Sequence, residues 1–149
     1  MAGYPKTLSS TGWKPVSSAE AFFDTSVLLY LLSADTKKAD KVEALLAESG
    51  VISVQVLNEF TAVAIRKLAM PLRDIREVLD TVRYICRTDA PTVEDHDRAG
   101  DIVERYKFSF YDSVIIASAL RAQCGVLYSE DLQNGQVIEK QLRITNPFE

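Results

Sequence analysis

The stretch "YDSVIIASALRAQCGVLYSED", residues 111–131, reads as a helix, a break and a strand. Ile115, Ile116 and Ala119 recur at helical spacing, Gly125 closes the helix, and Val126, Leu127 and Tyr128 form a short buried run. An acid stands at each end: Asp112 before the helix, Glu130 and Asp131 after the strand. The same alternation extends outward. "EAFFD" (20–24) predicts a strand, followed by an apolar helix from Ser26 to Ser33. "KKADKVEALLAES" (37–49) is amphipathic, with Ala39, Val42, Leu45 and Leu46 on one face and Gly50 as its stop. "VIS" (51–53) is a strand and "VQVLNEFTAVAIRKL" (54–68) a helix; Pro71 opens "PLRDIREVLDTVRYICR" (71–87). "DAPTV" (89–93) predicts an edge strand, because Pro91 cannot donate to a ladder. A charged helix covers 94–106, and "QVIEKQLRITNPF" (136–148) supplies one or two last strands. Strands alternating with helices predict an α/β fold, a mostly parallel sheet with helices on both faces. Ligands of such folds gather outside the carboxyl ends of the strands.

Residues 1–19 hold two Pro and two Gly among Ser and Thr, and are expected to form an extension that is irregular or packs on only through Trp13. The remaining residues, 20–149, are expected to form one domain. The 149 residues are 47% hydrophobic and 26% charged, ordinary for a globular chain. No apolar run is long enough to cross a bilayer. Residues 1–20 lack a secretory signal's apolar segment, so a cytoplasmic location is expected. Cys86 and Cys124 form no C-x-x-C pair and read as reduced core or edge residues. His96 is the only histidine, which excludes mechanisms needing two, such as general acid–base cleavage through the RNA 2′-hydroxyl. A net charge of -4 argues against broad electrostatic binding of nucleic acid. It leaves room for a nucleic-acid enzyme whose acidic centre is neutralised by metal ions.

Four acids sit at the ends of buried segments, each with a structural alternative. Asp24 follows "AFF" and suits a helix N-cap. Glu59 lies at the margin of a face formed by Leu57, Phe60, Ala64 and Leu68, with no basic residue placed to pair with it; a solvated glutamate is the alternative. Asp112 lies over the apolar face of its helix, where a carboxylate is costly unless paired or metal-bound, although an acid in a first turn also suits the helix dipole. Asp131 follows "GVLY", and a turn capped by Ser129 would explain it equally well. On an extended strand end Ser129 and Asp131 point one way, while Tyr128 and Glu130 point the other. If the four acids converge, unit charges about 4 Å apart repel by roughly 4 kcal/mol at an effective dielectric near 20. A cation would then be needed, and oxygen-only ligands select Mg²⁺ or Mn²⁺ over zinc.

In order and spacing, "FFDTSVLLYLL", "LNEF", "FSFYDSVIIASAL" and "LYSEDLQNGQ" resemble the PIN domain family, and more narrowly the VapC-type toxins of bacterial toxin–antitoxin pairs. The likeness runs from Ala21 to Phe148. It implies a three-layer α/β/α sandwich and a Mg²⁺- or Mn²⁺-dependent ribonuclease acting on RNA phosphodiesters, leaving a 5′-phosphate and a 3′-hydroxyl. It places the catalytic acids on Asp24, Glu59, Asp112 and Asp131. Asp24 and Asp112 would be the main metal ligands; Glu59 and Asp131 would orient water or help hold a second ion. Ser26 and Ser129 match the family's supporting hydroxyls. The resemblance also implies a homodimer and a cognate antitoxin protein whose tail enters the acidic groove, with no membrane partner. The acidic net charge requires local RNA contacts, for which Lys37, Lys38, Arg66, Lys67, Arg73 and Arg76 are candidates.

Other classes remain on the residues alone. A phosphatase of the haloacid dehalogenase type wants a second Asp two residues after the first, but position 26 is Ser. A receiver-like module wants paired acids after its first strand, where Asp24 stands alone. A catalytically silent PIN fold that only binds would have lost one of the four acids, and none is missing.

Overall fold

Phe22 and Phe23 point to opposite faces of one strand, yet neither is exposed. Only a sheet covered on both sides buries successive strand residues in this way. The computed structural model describes residues 20–149, so the extension and the docking expected of Trp13 lie outside the described residues. The strands are β1 (Ala21–Phe23), β2 (Val51–Ser53), β3 (Arg87–Asp89), β4 (Val126–Tyr128), β5 (Val137–Ile138) and β6 (Leu142–Thr145). The helices are α1 (Thr25–Leu28), continued by a 3₁₀ turn over Leu29–Leu32, then α2 (Thr36–Leu46), α3 (Val54–Leu68), α4 (Leu72–Ile85), α5 (Val93–Tyr106) and α6 (Phe110–Arg121). The sheet order is β3-β2-β1-β4-β6-β5, parallel except for β5 against β6. Helices flank this sheet in a three-layer α/β/α sandwich.

The chain leaves β1 toward β2 and β3 on one side and returns to β4 on the other. The strand order therefore reverses between β1 and β4, which pair Phe22 with Leu127 and Phe23 with Tyr128. A crevice opens outside the carboxyl ends of strands at such a reversal. The last long helix, α6, is buried on every side from Ser113 to Leu120. Arg121 Nε donates to both carboxylate oxygens of the buried Asp95 at 3.0 Å, tying the end of α6 to the capping box that opens α5. Cys86 and Cys124 are free and buried, and burial pushes their thiols up to about 11 and about 12, as expected of core residues. Among the described residues no helix is long and apolar enough to cross a membrane.

Several local expectations are corrected. The helix beginning near residue 26 is four α-helical residues and a 3₁₀ turn. The edge strand is Arg87–Asp89, ending where its partner strand ends at Ser53, so Pro91 lies beyond it. Leu68 is 49% exposed, and Val56, Phe60 and Ala64 form the buried stripe of α3. Ser49 and Gln123, at φ 73° and 60°, take the left-handed positions after α2 and α6, not Gly50 and Gly125.

Gly50 has a different task. A Cβ there would lie 2.6 Å from Phe23 Cε1 and 2.9 Å from the Ala21 carbonyl oxygen. The fully buried Phe23 ring has no free space to yield. Gly50→Ala is therefore expected to destabilise the domain by about 1–3 kcal/mol, the usual cost of overpacking. A urea midpoint unchanged from wild type would show that β1 and β2 can separate freely.

Candidate active site

Asp24 is the first residue beyond β1 and faces the crevice between β1 and β4. Its backbone N–H still donates to the Tyr128 carbonyl at 3.0 Å, so the sheet itself fixes it. Its carboxylate caps α1 by accepting from the Thr25 N–H at 2.8 Å. The other oxygen accepts from Ser129 Oγ at 2.9 Å and Ser26 Oγ at 3.2 Å. Capping and site-building are thus one geometry, not rival readings. Asp24 is 6% exposed, and burial pushes its carboxyl up to about 6. The donated hydrogen bonds oppose that rise, and the nearby Asp112 charge adds to it.

Asp112 stands in the first turn of α6, where its N–H donates to Ser109 Oγ at 3.2 Å. It is half-buried at the helix mouth, in line with Ile115, Ile116 and Ala119, but that line is not a distinct apolar face, because the following helix is buried on every side. Among the described residues its carboxylate accepts no hydrogen bond from a side chain. Asp131 follows β4 and is exposed; partial burial, the Asp112 charge and the Glu130 charge all raise its pKa. Its N–H and that of Leu132 donate to Ser129 Oγ at 3.2 and 3.4 Å, so the Ser129-capped turn forms too. Asp112 therefore acts electrostatically on both Asp24 and Asp131.

Glu59, on α3, joins through hydrogen bonds. One oxygen accepts from Thr25 Oγ1 at 2.8 Å, the other from Gln55 Nε2 at 3.3 Å, and Gln55 also donates to the Tyr111 carbonyl beside Asp112. Thr25 thus links Asp24 to Glu59, and Gln55 links Glu59 to the start of α6. Sequence reasoning passed over both. Thr25 carried a signal in its adjacency to Asp24, and Gln55 carried one at i−4 from Glu59.

Glu130 turns away from this centre, as the strand alternation indicated. It accepts from the Tyr30 hydroxyl at 2.7 and 2.9 Å and from Lys38 Nζ at 3.4 Å. Its N–H donates to Ser26 Oγ at 3.1 Å, which anchors the 129–131 loop to α1. A groove of about 510 Å³ runs beside the acids, with Ser26 and Asp131 at its acidic end, Leu29, Tyr30 and Val63 on its sides, and Lys67 on its wall.

A family model described as the PIN domain matches residues 21–137. The chain belongs to the PIN domain family. The PIN fold is also that of two solved structures. One is a toxin-antitoxin complex from Klebsiella pneumoniae (TM-score 0.67, 19% identity, covering 87% of this chain and 98% of that one). The other is Mycobacterium tuberculosis VapC20, a sarcin-ricin loop cleaving toxin (TM-score 0.61, 21% identity, covering 74% and 89%). At this identity the likeness is one of fold. No match is found among curated protein sequences.

Family membership removes the phosphatase and receiver readings. It leaves the question of whether this PIN domain's acids suit a divalent ion. Among the described residues no three carboxylate, imidazole or thiolate groups are drawn into a ready cage. Magnesium does not need one: it keeps several waters and is held through one or two carboxylates. Asp24 and Asp112 offer such a pair, all oxygen, with like charges already in repulsion. An ionised carboxylate has about four acceptor positions, and the three donors on Asp24 leave one. The donor set fits a hard cation.

Proposed function

We propose that this PIN domain is a Mg²⁺- or Mn²⁺-dependent endoribonuclease, the toxin of a type II toxin–antitoxin pair. The observation that carries the reading is Asp24: a carboxylate buried at the strand-order reversal, fixed by three donors, and still faced by a second carboxylate. Burying a charge in this way is costly unless a cation compensates it. Asp24 and Asp112 would hold the ion, with Asp131 and Glu59 at its margin. A bound divalent ion would supply charge neutralisation at the phosphodiester and an acidified water as nucleophile. The chain's own groups do the rest. Ser26 and Ser129 fix the rotamer of Asp24, Thr25 orients Glu59 toward the crevice, and the anchored 129–131 loop sets Asp131. The products would be a 5′-phosphate and a 3′-hydroxyl. The toxin reading draws on the two similar structures, one a toxin-antitoxin complex and one a cleaving toxin. A cognate antitoxin, a homodimer and a cytoplasmic location belong to the same proposal.

The test is purified protein with total RNA. Cleavage is expected with Mg²⁺ or Mn²⁺, to stop with EDTA, and to fall in Asp112→Asn to the EDTA level. Cleavage that survives EDTA, or an Asp112→Asn variant as active as wild type, would sink the metal mechanism. RNA bound but never cleaved by the wild type would instead favour a silent PIN fold.

A further inference from the structure

A second groove, of about 370 Å³, lies between the start of α2 and the C-terminal segment. Lys37, Lys38 and Lys41 line it, together with Pro147 and Phe148. Three ammonium groups on one wall are conspicuous in a chain of net charge -4. Lys38 is engaged by Glu130 at 3.4 Å. Lys37 and Lys41 are exposed, and neither has an ion-pair partner among the described residues. The two acids on the same rim are held by neutral donors. Asp35 caps α2 through the Lys38 N–H, and Glu149 accepts from the side-chain amides of Asn134 and Asn146. Both carboxylates keep their charge, but neither forms an ion pair with Lys37 or Lys41, so the two ammonium groups stand unpaired on the groove wall.

The groove is also aromatic and adjoins the acidic groove across Tyr30 and Glu130. Phe148 meets Tyr30 edge to face, with ring centroids 4.8 Å apart, and Lys38 Nζ lies 4.7 Å from the Tyr30 centroid and 5.0 Å from that of Phe148. Tyr30 and Glu130 themselves line the acidic groove. The Tyr30–Glu130–Lys38 cluster is therefore a ridge with carboxylates on one side and lysines on the other. Unpaired ammonium groups beside aromatic surface are the combination that holds single-stranded nucleic acid.

We propose that the groove lined by Lys37, Lys41 and Phe148 binds the backbone of single-stranded RNA next to the bond being cut, with the two free lysines on phosphates. The proposal rests on the ribonuclease reading and supplies its substrate track. The two unpaired ammonium groups give phosphates a contact outside the acidic centre, and the Tyr30–Glu130 ridge stands between the two.

The test uses the full chain carrying Asp112→Asn, to block cleavage, and a fluorescent single-stranded RNA titrated over a range of NaCl. Removing one lysine from a phosphate flattens the plot of log affinity against log salt by about 0.7. Lys37→Ala/Lys41→Ala is expected to flatten it by about twice that, and Lys37→Arg/Lys41→Arg to restore it. On the cleaving wild-type background the alanine pair should raise KM and leave kcat unchanged. Arg73→Ala/Arg76→Ala on α4 is the control for diffuse attraction. An unchanged slope in the lysine pair, or the same flattening in the arginine control, would overturn the proposal. So would capture of an acidic peptide by these lysines with RNA affinity unaffected, which would make the groove a protein-docking site. RNA cleavage that persists with an unchanged slope defeats only this inference; absence of both RNA binding and cleavage in the wild type defeats the ribonuclease reading itself.

Discussion

Asp24→Asn is expected to lose RNA cleavage by at least about 100-fold, exceeding the 10–100-fold that loss of an outer-shell partner costs a metal site. The same variant is expected to be more stable than wild type in metal-free buffer at neutral pH. The second effect follows from burial, which pushes the Asp24 carboxyl up to about 6 from 3.8. Between those values the folded chain holds a proton that the unfolded chain has released. The stabilisation is complete below about pH 4 and is lost as pH rises through 6. At pH 7.5 the ionised group costs the fold on the order of 3 kcal/mol, from about 1.4 kcal/mol per unit. Asparagine carries no charge, keeps an oxygen for the Thr25 N–H and is as good an N-cap as aspartate. Its amide can donate to Ser26 Oγ, which otherwise accepts only from the Glu130 N–H. Ser129 Oγ already accepts from the Asp131 and Leu132 N–H groups, so its O–H loses a partner at a cost of about 1 kcal/mol, less than the charge penalty removed. Urea melts should show the variant's midpoint above wild type at pH 7.5 and the two converging toward pH 4. An inactive variant that is also less stable at pH 7.5 would mean the lost activity reports damaged folding, not lost chemistry.

That Asp24 can be singled out at all reflects which interactions leave a local trace. The runs "AFF", "VIS" and "VLY" are short, apolar and separated by helical periodicity, so the parallel sheet was legible from neighbouring residues. An acid directly after β1 and another shortly after β4 was legible for the same reason. The sharing of Asp24 between Thr25, Ser26 and Ser129 was only half legible, since Ser129 lies 105 residues away and reaches it through the β1–β4 pairing. The Tyr30–Glu130 bond spans 100 residues and left no signal; alternation showed only that Glu130 turns aside. The spacing of Ile115, Ile116 and Ala119 shows one apolar line through Asp112, but burial of α6 on all sides depends on α5 and the sheet, which no local pattern reveals. The helix stops failed for a smaller reason. Gly50 and Gly125 mark the helix ends in the sequence, but Ser49 and Gln123 take the left-handed conformation there, and Gly50 is needed where Phe23 leaves no room for a side chain.

Mg²⁺ or Mn²⁺ is expected to raise the melting temperature strongly at pH 7.5 and hardly at all near pH 4.5. A cation that binds only the folded chain stabilises it by about 2.7 kcal/mol at one hundred times its dissociation constant. At pH 7.5 Asp24 is ionised and its burial is uncompensated, so the ion removes a penalty as well as adding its own binding energy. Below pH 6 the ion must displace a proton from Asp24, and its affinity should fall about tenfold per pH unit. Asp131, whose pKa is raised by burial and by the Asp112 and Glu130 charges, adds to this competition. The pH at which the stabilisation disappears is thus set by the carboxyl that burial has shifted most, not by the ordinary carboxylate range. Asp24→Asn should abolish most of the cation's effect at pH 7.5. Lys37→Ala/Lys41→Ala should keep it whole, because those lysines lie beyond the Tyr30–Glu130 ridge. A cation-induced shift that is equal at pH 7.5 and 4.5, or that survives Asp24→Asn in full, would place the ion outside the crevice between β1 and β4.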